Sequence, residues 1–301
     1  MSAYFCLGLL WLTHVLPLNV QAWLGRGLGR LLLMFAKTRR AVALRNLELC
    51  FPEWSPHQRA AVAREHFQWL GRSLLERGLL WYASPKRLRQ LIQIEGDVSL
   101  AERSERPVMW LVPHFVGLDV AGIVTQIFQK REVCSIYQPQ SNPVFDRAIR
   151  KGRTRFGQGA IFTRGNRALP LVRAIRRGWA FFNLPDMDFG LKDSAFIPFF
   201  GVNACTLLAP SKMAQSLNMV VQPVVVEILP GGHGYRVQFQ PPWSNFPTKD
   251  PQADAVFINQ WIESEIRRNP NQYLWVHKRF KTRPPGEPSL YGSITDVTHS
   301  P

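Results

Sequence analysis

The stretch VMWLVPHFVGLDVAG, Val108 to Gly122, opens with five apolar residues, and Pro113 then interrupts the pattern. Apolar, β-prone residues up to Val112 predict a buried strand; Gly117 onward predicts a helix. His114 and Asp119 are its only polar side chains. The strand–turn–helix order puts His114 at the carboxyl end of a strand, the edge at which open α/β sheets collect ligands. On a straight helix, residues five apart stand about 140° apart and do not meet. A turn between His114 and Asp119 lets the carboxylate fold back onto the imidazole. Such a dyad suits general-base chemistry: Asp119 holds one ring nitrogen while the other takes a proton from an attacking hydroxyl.

Outward from this stretch, strand-like and helix-like runs alternate. Apolar, β-rich segments fall at 133–137, 160–163, 179–184, 220–228 and 235–239, with helical patterns near 117–128, 142–156, 167–177, 206–217 and 253–268 between them. Repeated strand–helix alternation predicts an α/β fold with a mainly parallel or mixed central sheet flanked by helices on both faces. Upstream, Ser55-Pro56-His57-Gln58 has the form of an N-cap, a proline at the first helical position and a glutamine at the third, opening a helix to about Tyr82. Ser84-Pro85 repeats the device.

Residues 3–24 carry no charge, a length within the range that crosses a hydrocarbon core. Pro17 and four polar residues inside that run equally suit a kinked helix lying in the interface. Arg26, Arg30, Lys37, Arg39, Arg40 and Arg45 follow it and predict a cytoplasmic, anionic-lipid-facing segment. The expected organisation is a membrane anchor helix over 1–25, a domain over 26–285 (helical lead-in 26–92, α/β core 93–285) and a disordered tail over 286–301. The whole chain has 37 Lys and Arg against 21 Asp and Glu, a net charge of +16, which points to an anionic partner. Aromatic residues sit mostly inside apolar runs rather than interleaved with the arginines, which argues against nucleic acid; a non-catalytic, basic lipid-binding membrane protein is the alternative to an enzyme. Four widely spaced cysteines indicate neither a zinc knuckle nor a disulfide framework. Without a P-loop, a G-x-G-x-x-G after a strand or a G-x-S-x-G elbow, no nucleotide cofactor or nucleophilic serine is expected. Asp186 and Asp188 are read as turn residues, not as metal ligands.

Several blocks in order carry a resemblance: His114-x4-Asp119; Ile161-Phe162-Thr163-Arg164; Pro185-Asp186-Met187-Asp188-Phe189-Gly190; and Val221-Gln222-Pro223. With Arg45 to Glu53, Tyr137-Gln138-Pro139, Asn142-Pro143 and Tyr273 to Pro284, the chain resembles the secondary lipid A acyltransferases, the lauroyl and myristoyl type, within the glycerolipid and lysophospholipid acyltransferase superfamily. The resemblance implies O-acyl transfer from an acyl carrier protein thioester to a hydroxyl of a phosphorylated lipid A precursor at the bacterial inner membrane, with no cofactor and no metal. It assigns His114 as base, Asp119 as its orienter and Arg164 to the oxyanion or an acceptor phosphate. Arg167, Gln138, Asn142, Asp186, Asp188 and Arg279 are expected to contact substrate. The same dyad would equally serve another lipid acceptor, such as a lysophospholipid or aminolipid.

Overall fold

The computed structural model describes residues 2–157, 159–163, 169–292 and 294. Five helices lead in: α1 (Ser2–Thr13), α2 (Leu18–Phe35), α3 (Lys37–Cys50), α4 (Pro56–Tyr82) and α5 (Pro85–Leu91). The alternating part follows: β1 (Ile92–Gly96), α6 (Leu100–Arg103), β2 (Val108–Leu111), α7 (Leu118–Ile127), β3 (Val133–Tyr137), α8 (Pro143–Arg153), β4 (Gly159–Thr163), α9 (Leu169–Arg176) and β5 (Ala180–Asn183). After it come a hairpin of β6 (Ser194–Phe199) and β7 (Val202–Leu207), then α10 (Ala209–Ser216), β8 (Val220–Ile228), β9 (Tyr235–Phe239) and α11 (Pro251–Arg268).

Seven strands form one sheet in the order β1-β9-β8-β2-β5-β3-β4, parallel throughout except where β8 meets β9. Side chains alternate between its faces as the pleat requires. Met109, Leu111, Phe181 and Val221 join the apolar layer under α3, α9, α10 and α11. Val108, Trp110, Phe182 and Val224 join the layer under α4, α5 and α7. Trp110 is completely buried, and its indole N–H donates to Gln222 Oε1 at 3.0 Å, so its one polar atom does not oppose burial. The expected sheet with helices on both faces is what forms.

The Ser55 cap forms as the sequence predicts. Ser55 Oγ accepts from the Gln58 amide at 3.2 Å while the Ser55 amide donates to Gln58 Oε1 at 2.8 Å. Ser84 caps α5 by one bond, its Oγ accepting from the Arg87 amide at 3.2 Å. Three expectations need correction. First, the uncharged amino-terminal run is not one anchor helix: Pro17 divides it between α1 and α2, and among the described residues no helix is long and apolar enough to cross a membrane. Instead α2 packs on α4 at very short range, because a Cβ on Gly29 would stand 2.2 Å from the Phe67 carbonyl oxygen and one on Gly71 2.3 Å from that of Gly25. Second, the helix expected near 206–217 begins only at Ala209, since Thr206 and Leu207 pair with β6. The hairpin and β1 were not expected at all. Third, the part of the tail up to Tyr291 is held down: Tyr291 is buried, its hydroxyl donates to Asn46 Oδ1 at 2.6 Å, and Arg45 Nε donates to the Leu290 carbonyl at 2.8 Å.

Candidate active site

The turn after β2 is pinned from three sides. The Val112 amide donates to the Asn183 carbonyl at 2.9 Å, continuing the β2–β5 ladder; the Val116 amide donates to the Gln272 carbonyl at 2.8 Å; and the Leu274 amide donates to the His114 carbonyl at 2.9 Å. Ser73 on α4 donates its hydroxyl to the Val116 carbonyl at 2.5 Å. Gly117 is required here, because a Cβ would come within 2.8 Å of Val226 Cγ1 on β8.

In this fixed turn His114 is bonded to Asp186, which follows the neighbouring strand β5. The Nδ1 of His114 and Asp186 Oδ1 are 2.6 Å apart, and the His114 amide donates to Asp186 Oδ2 at 2.8 Å. Both carboxylate oxygens of a side chain 1% exposed therefore serve one residue. Burial pushes the Asp186 carboxyl up; the adjacent His114 charge and hydrogen bonds outweigh it and hold the group below the usual carboxylate value. An ionised carboxylate on Nδ1 fixes the ring and leaves Nε2 as its basic nitrogen.

Asp119, expected on the imidazole, has other partners. It stands in the first turn of α7, where Arg77 Nε of α4 donates to Oδ2 at 3.1 Å and Arg153 of α8 donates to Oδ1 through Nε at 2.9 Å and Nη2 at 2.7 Å. Burial again pushes this carboxyl up, and the Arg153 and Arg77 charges more than offset it, so it too is held low. The five-residue spacing thus marks the right turn but names the wrong pair. The reason is geometric: α7 begins at Leu118, so Asp119 already follows the helix, while the end of β5 lies beside His114.

His114, Asp119, Arg77, Arg153, Gln138 and Asp188 all line one cleft of about 840 Å³ at the carboxyl edge of the sheet, with His277, Lys192 and Lys281. Asp188 shapes the rim: its carboxylate accepts from the Thr282 hydroxyl at 2.8 Å, the Thr282 amide at 2.7 Å and the Gly190 amide at 3.0 Å. His277 Nε2 accepts from the Asp188 amide at 3.3 Å. Burial, then the His114 and Arg279 charges, push His277 down to about 4, so it is a neutral ring at neutral pH. Two expected substrate contacts lie elsewhere. Asn142 caps α8, its Oδ1 accepting from the Val144 and Phe145 amides. Arg279 is buried behind the site, donating to the Cys205 carbonyl at 2.9 Å and Thr206 Oγ1 at 2.8 Å, over the Phe199 ring. Arg164 and Arg167 lie outside the described residues. Sequence reasoning missed Arg77 and Arg153, which have no local signal beyond charge on an amphipathic helix, and Asn183, whose Oδ1 is buried without a partner in the cleft wall.

The arrangement offers an oriented imidazole, a guanidinium pair and a mainly apolar cleft, a combination suited to moving an acyl group from a donor to a hydroxyl. Comparison with known proteins agrees. The sequence profile described as "Bacterial lipid A biosynthesis acyltransferase" matches residues 1–282. The chain is 36% identical over 291 residues to the lipid A biosynthesis palmitoleoyltransferase of Escherichia coli strain K12, covering 96% of this chain and 94% of that one. It is 32% identical over 288 residues to the lauroyltransferase of the same strain, covering 95% and 93%. To the myristoyltransferase of that strain it is 31% identical, over 90% and 83%. The chain belongs to the bacterial lipid A biosynthesis acyltransferase family.

Proposed function

We propose that the protein transfers a fatty acyl chain from an acyl carrier protein thioester to a hydroxyl of a lipid A precursor, by direct attack. His114 Nε2 takes the proton as the hydroxyl oxygen attacks the thioester carbonyl; the carbon–sulfur bond then breaks and the proton passes to the departing thiolate. Asp186 holds the ring and stabilises the imidazolium formed midway. Arg77 and Arg153, kept in place by Asp119, offer positive charge to the developing oxyanion or to an acceptor phosphate. A net charge of +16 favours association with an anionic carrier protein, an anionic acceptor and an anionic bilayer.

The enzyme works at the cytoplasmic face of the inner membrane, with α1 and the outward face of α2 lying in the interface. Phe5 is 74% exposed, Phe35 72% and Trp23 71%, beside exposed Trp11, Leu12, Leu31 and Met34. Apolar side chains of this size on two adjoining helices suit immersion in the headgroup region. The observation that carries the proposal is the His114–Asp186 pair at the sheet edge in a chain of this family. Its test is mass spectrometry of the product formed from acyl carrier protein thioester and lipid A precursor. Addition of one acyl ester by the wild-type protein and none by His114→Ala is expected; equal product from both would refute the mechanism. For the membrane, Trp23→Asp with Phe35→Asp is expected to release the protein from anionic vesicles in high salt, where the basic residues no longer compensate.

A further inference from the structure

Behind the Asp119–Arg153 pair lies a second, smaller pocket of about 70 Å³. Leu80 and Trp81 of α4, Gly122 and Ile123 of α7, Gly152 of α8 and Ile161 of β4 line it, and it shares Leu118, Tyr137, Phe182 and Leu184 with the main cleft. The Asp119–Arg153 pair stands at its mouth and Gln126 Oε1 is buried without a partner, while other polar groups in its wall turn onto the backbone. Thr125 Oγ1 donates to the Gly122 carbonyl at 3.1 Å, Thr154 Oγ1 to that of Arg150 at 2.9 Å, and Gln126 Nε2 to those of Gly122 and Arg153 at 2.7 Å. What faces the space is mainly hydrocarbon. An apolar cavity of roughly 150 Å³ holds a benzene ring, so this one accommodates only the last few carbons of a chain.

Gly122 is the informative residue. Glycine inside a helix costs roughly 0.5–1 kcal/mol relative to alanine, so it calls for a local reason. The two usual ones are missing: its φ is not positive, and a Cβ built on it meets nothing within 4 Å. What a side chain there would occupy is the pocket. The opposite wall is fixed, since Trp81 lies against Gly152, where a Cβ would stand 2.4 Å from the indole.

We infer that this pocket receives the methyl end of the acyl donor and that Gly122 sets the chain length the enzyme transfers. The inference rests on the acyl-transfer reading above. The donor, not the acceptor, is the occupant: it brings a single chain whose carbonyl must reach His114, and the pocket opens from the same cleft wall. Each methylene is worth about 1–3 kcal/mol in such a site, enough to discriminate neighbouring chain lengths about ten-fold or more.

The test uses the full-length protein, a fixed lipid A precursor and acyl carrier protein thioesters from about ten to about sixteen carbons, with kcat/KM measured for each. Gly122→Phe is expected to shift the ratio of short to long donors by about ten-fold or more toward short ones while keeping turnover on the shortest. Gly122→Ala, which meets no steric obstacle and favours the helix, is expected to shift it the same way by less, and Ile161→Ala, which deepens the pocket, the opposite way. An unchanged donor preference in both Gly122 variants would overturn the inference. So would an increased KM for the acceptor with donor preference intact, because the pocket would then hold an acceptor chain. Absence of transfer by the wild-type protein would instead overturn the acyltransferase reading, and this inference with it.

Discussion

The two ends of the His114–Asp119 interval place their charges in opposite surroundings. At the first, the imidazole leans on a buried carboxylate, and both oxygens of Asp186 are taken by His114. At the second, the carboxylate is Asp119 itself, held between Arg77 and Arg153. The first arrangement orients a base, because the carboxylate fixes the ring through Nδ1 and leaves Nε2 as its acceptor nitrogen. The second fixes two cations in the wall of the same cleft. Residues close in sequence thus divide the labour through partners 72, 42 and 34 positions away. A short motif locates the turn, and the tertiary contacts decide what each of its residues does.

Removing the base is the largest expected effect. His114→Ala should lower kcat by roughly 10²- to 10⁴-fold, measured by steady-state transfer well below the thermal transition, since the unpaired buried Asp186 also lowers the melting temperature. Asp186→Asn keeps the shape and removes the charge; a loss of roughly 10²-fold in kcat, with both KM values near wild type, is expected. Asp119→Asn and Arg153→Gln should each cost less and should not add: a double-mutant cycle in kcat/KM is expected to give a coupling of about 1–3 kcal/mol. Additive losses would separate Asp119 from the guanidiniums and reopen its expected place on the imidazole.

The smallest effect concerns pH and keeps folding apart from catalysis. Burial pushes His66 down to about 4, from an ordinary value of 6.5, with its Nδ1 against the Asn271 carbonyl. A histidine held low in the folded state is bound to fewer protons there than when unfolded between pH 6.5 and about 4. Its contribution is therefore complete above that window and is lost as the pH falls through it. Urea denaturation should show a His66-dependent loss on the order of 1–2 kcal/mol between pH 6.5 and 5, absent in His66→Gln. Asp186 and Asp119 act lower: held below the ordinary carboxylate value, they stabilise above about pH 4 and lose that contribution only as the pH drops further.

Much of the sheet is legible in the sequence because its strands are continuous apolar runs, buried on both faces. The strands not anticipated lack that signature. Ile92 to Gly96 carries Gln93 and Glu95 at the sheet's edge, and the β6–β7 hairpin has Pro198 and Asn203 within it and lies outside the main sheet. In the site, His114 was legible from its position after a buried strand. Asp186 was visible as a turn residue, but its role depends on β5 pairing with β2, which no local pattern encodes. Arg77 and Arg153 look like ordinary charges on the polar faces of their helices until α4, α7 and α8 are brought together. The amino-terminal run was readable as apolar but not as two helices, because the close fit of α2 on α4 depends on Gly25, Gly29 and Gly71 meeting across a helix pair.

The division of labour between the two carboxylates is tested most directly by single-turnover acyl transfer, with enzyme in excess over the acyl thioester, comparing Asp186→Asn with Asp119→Asn at saturating acceptor. The chemical step is expected to slow roughly 10²-fold in Asp186→Asn and clearly less in Asp119→Asn. A wild-type rate in Asp186→Asn, with the larger loss in Asp119→Asn, would contradict it and return the orienting role to Asp119.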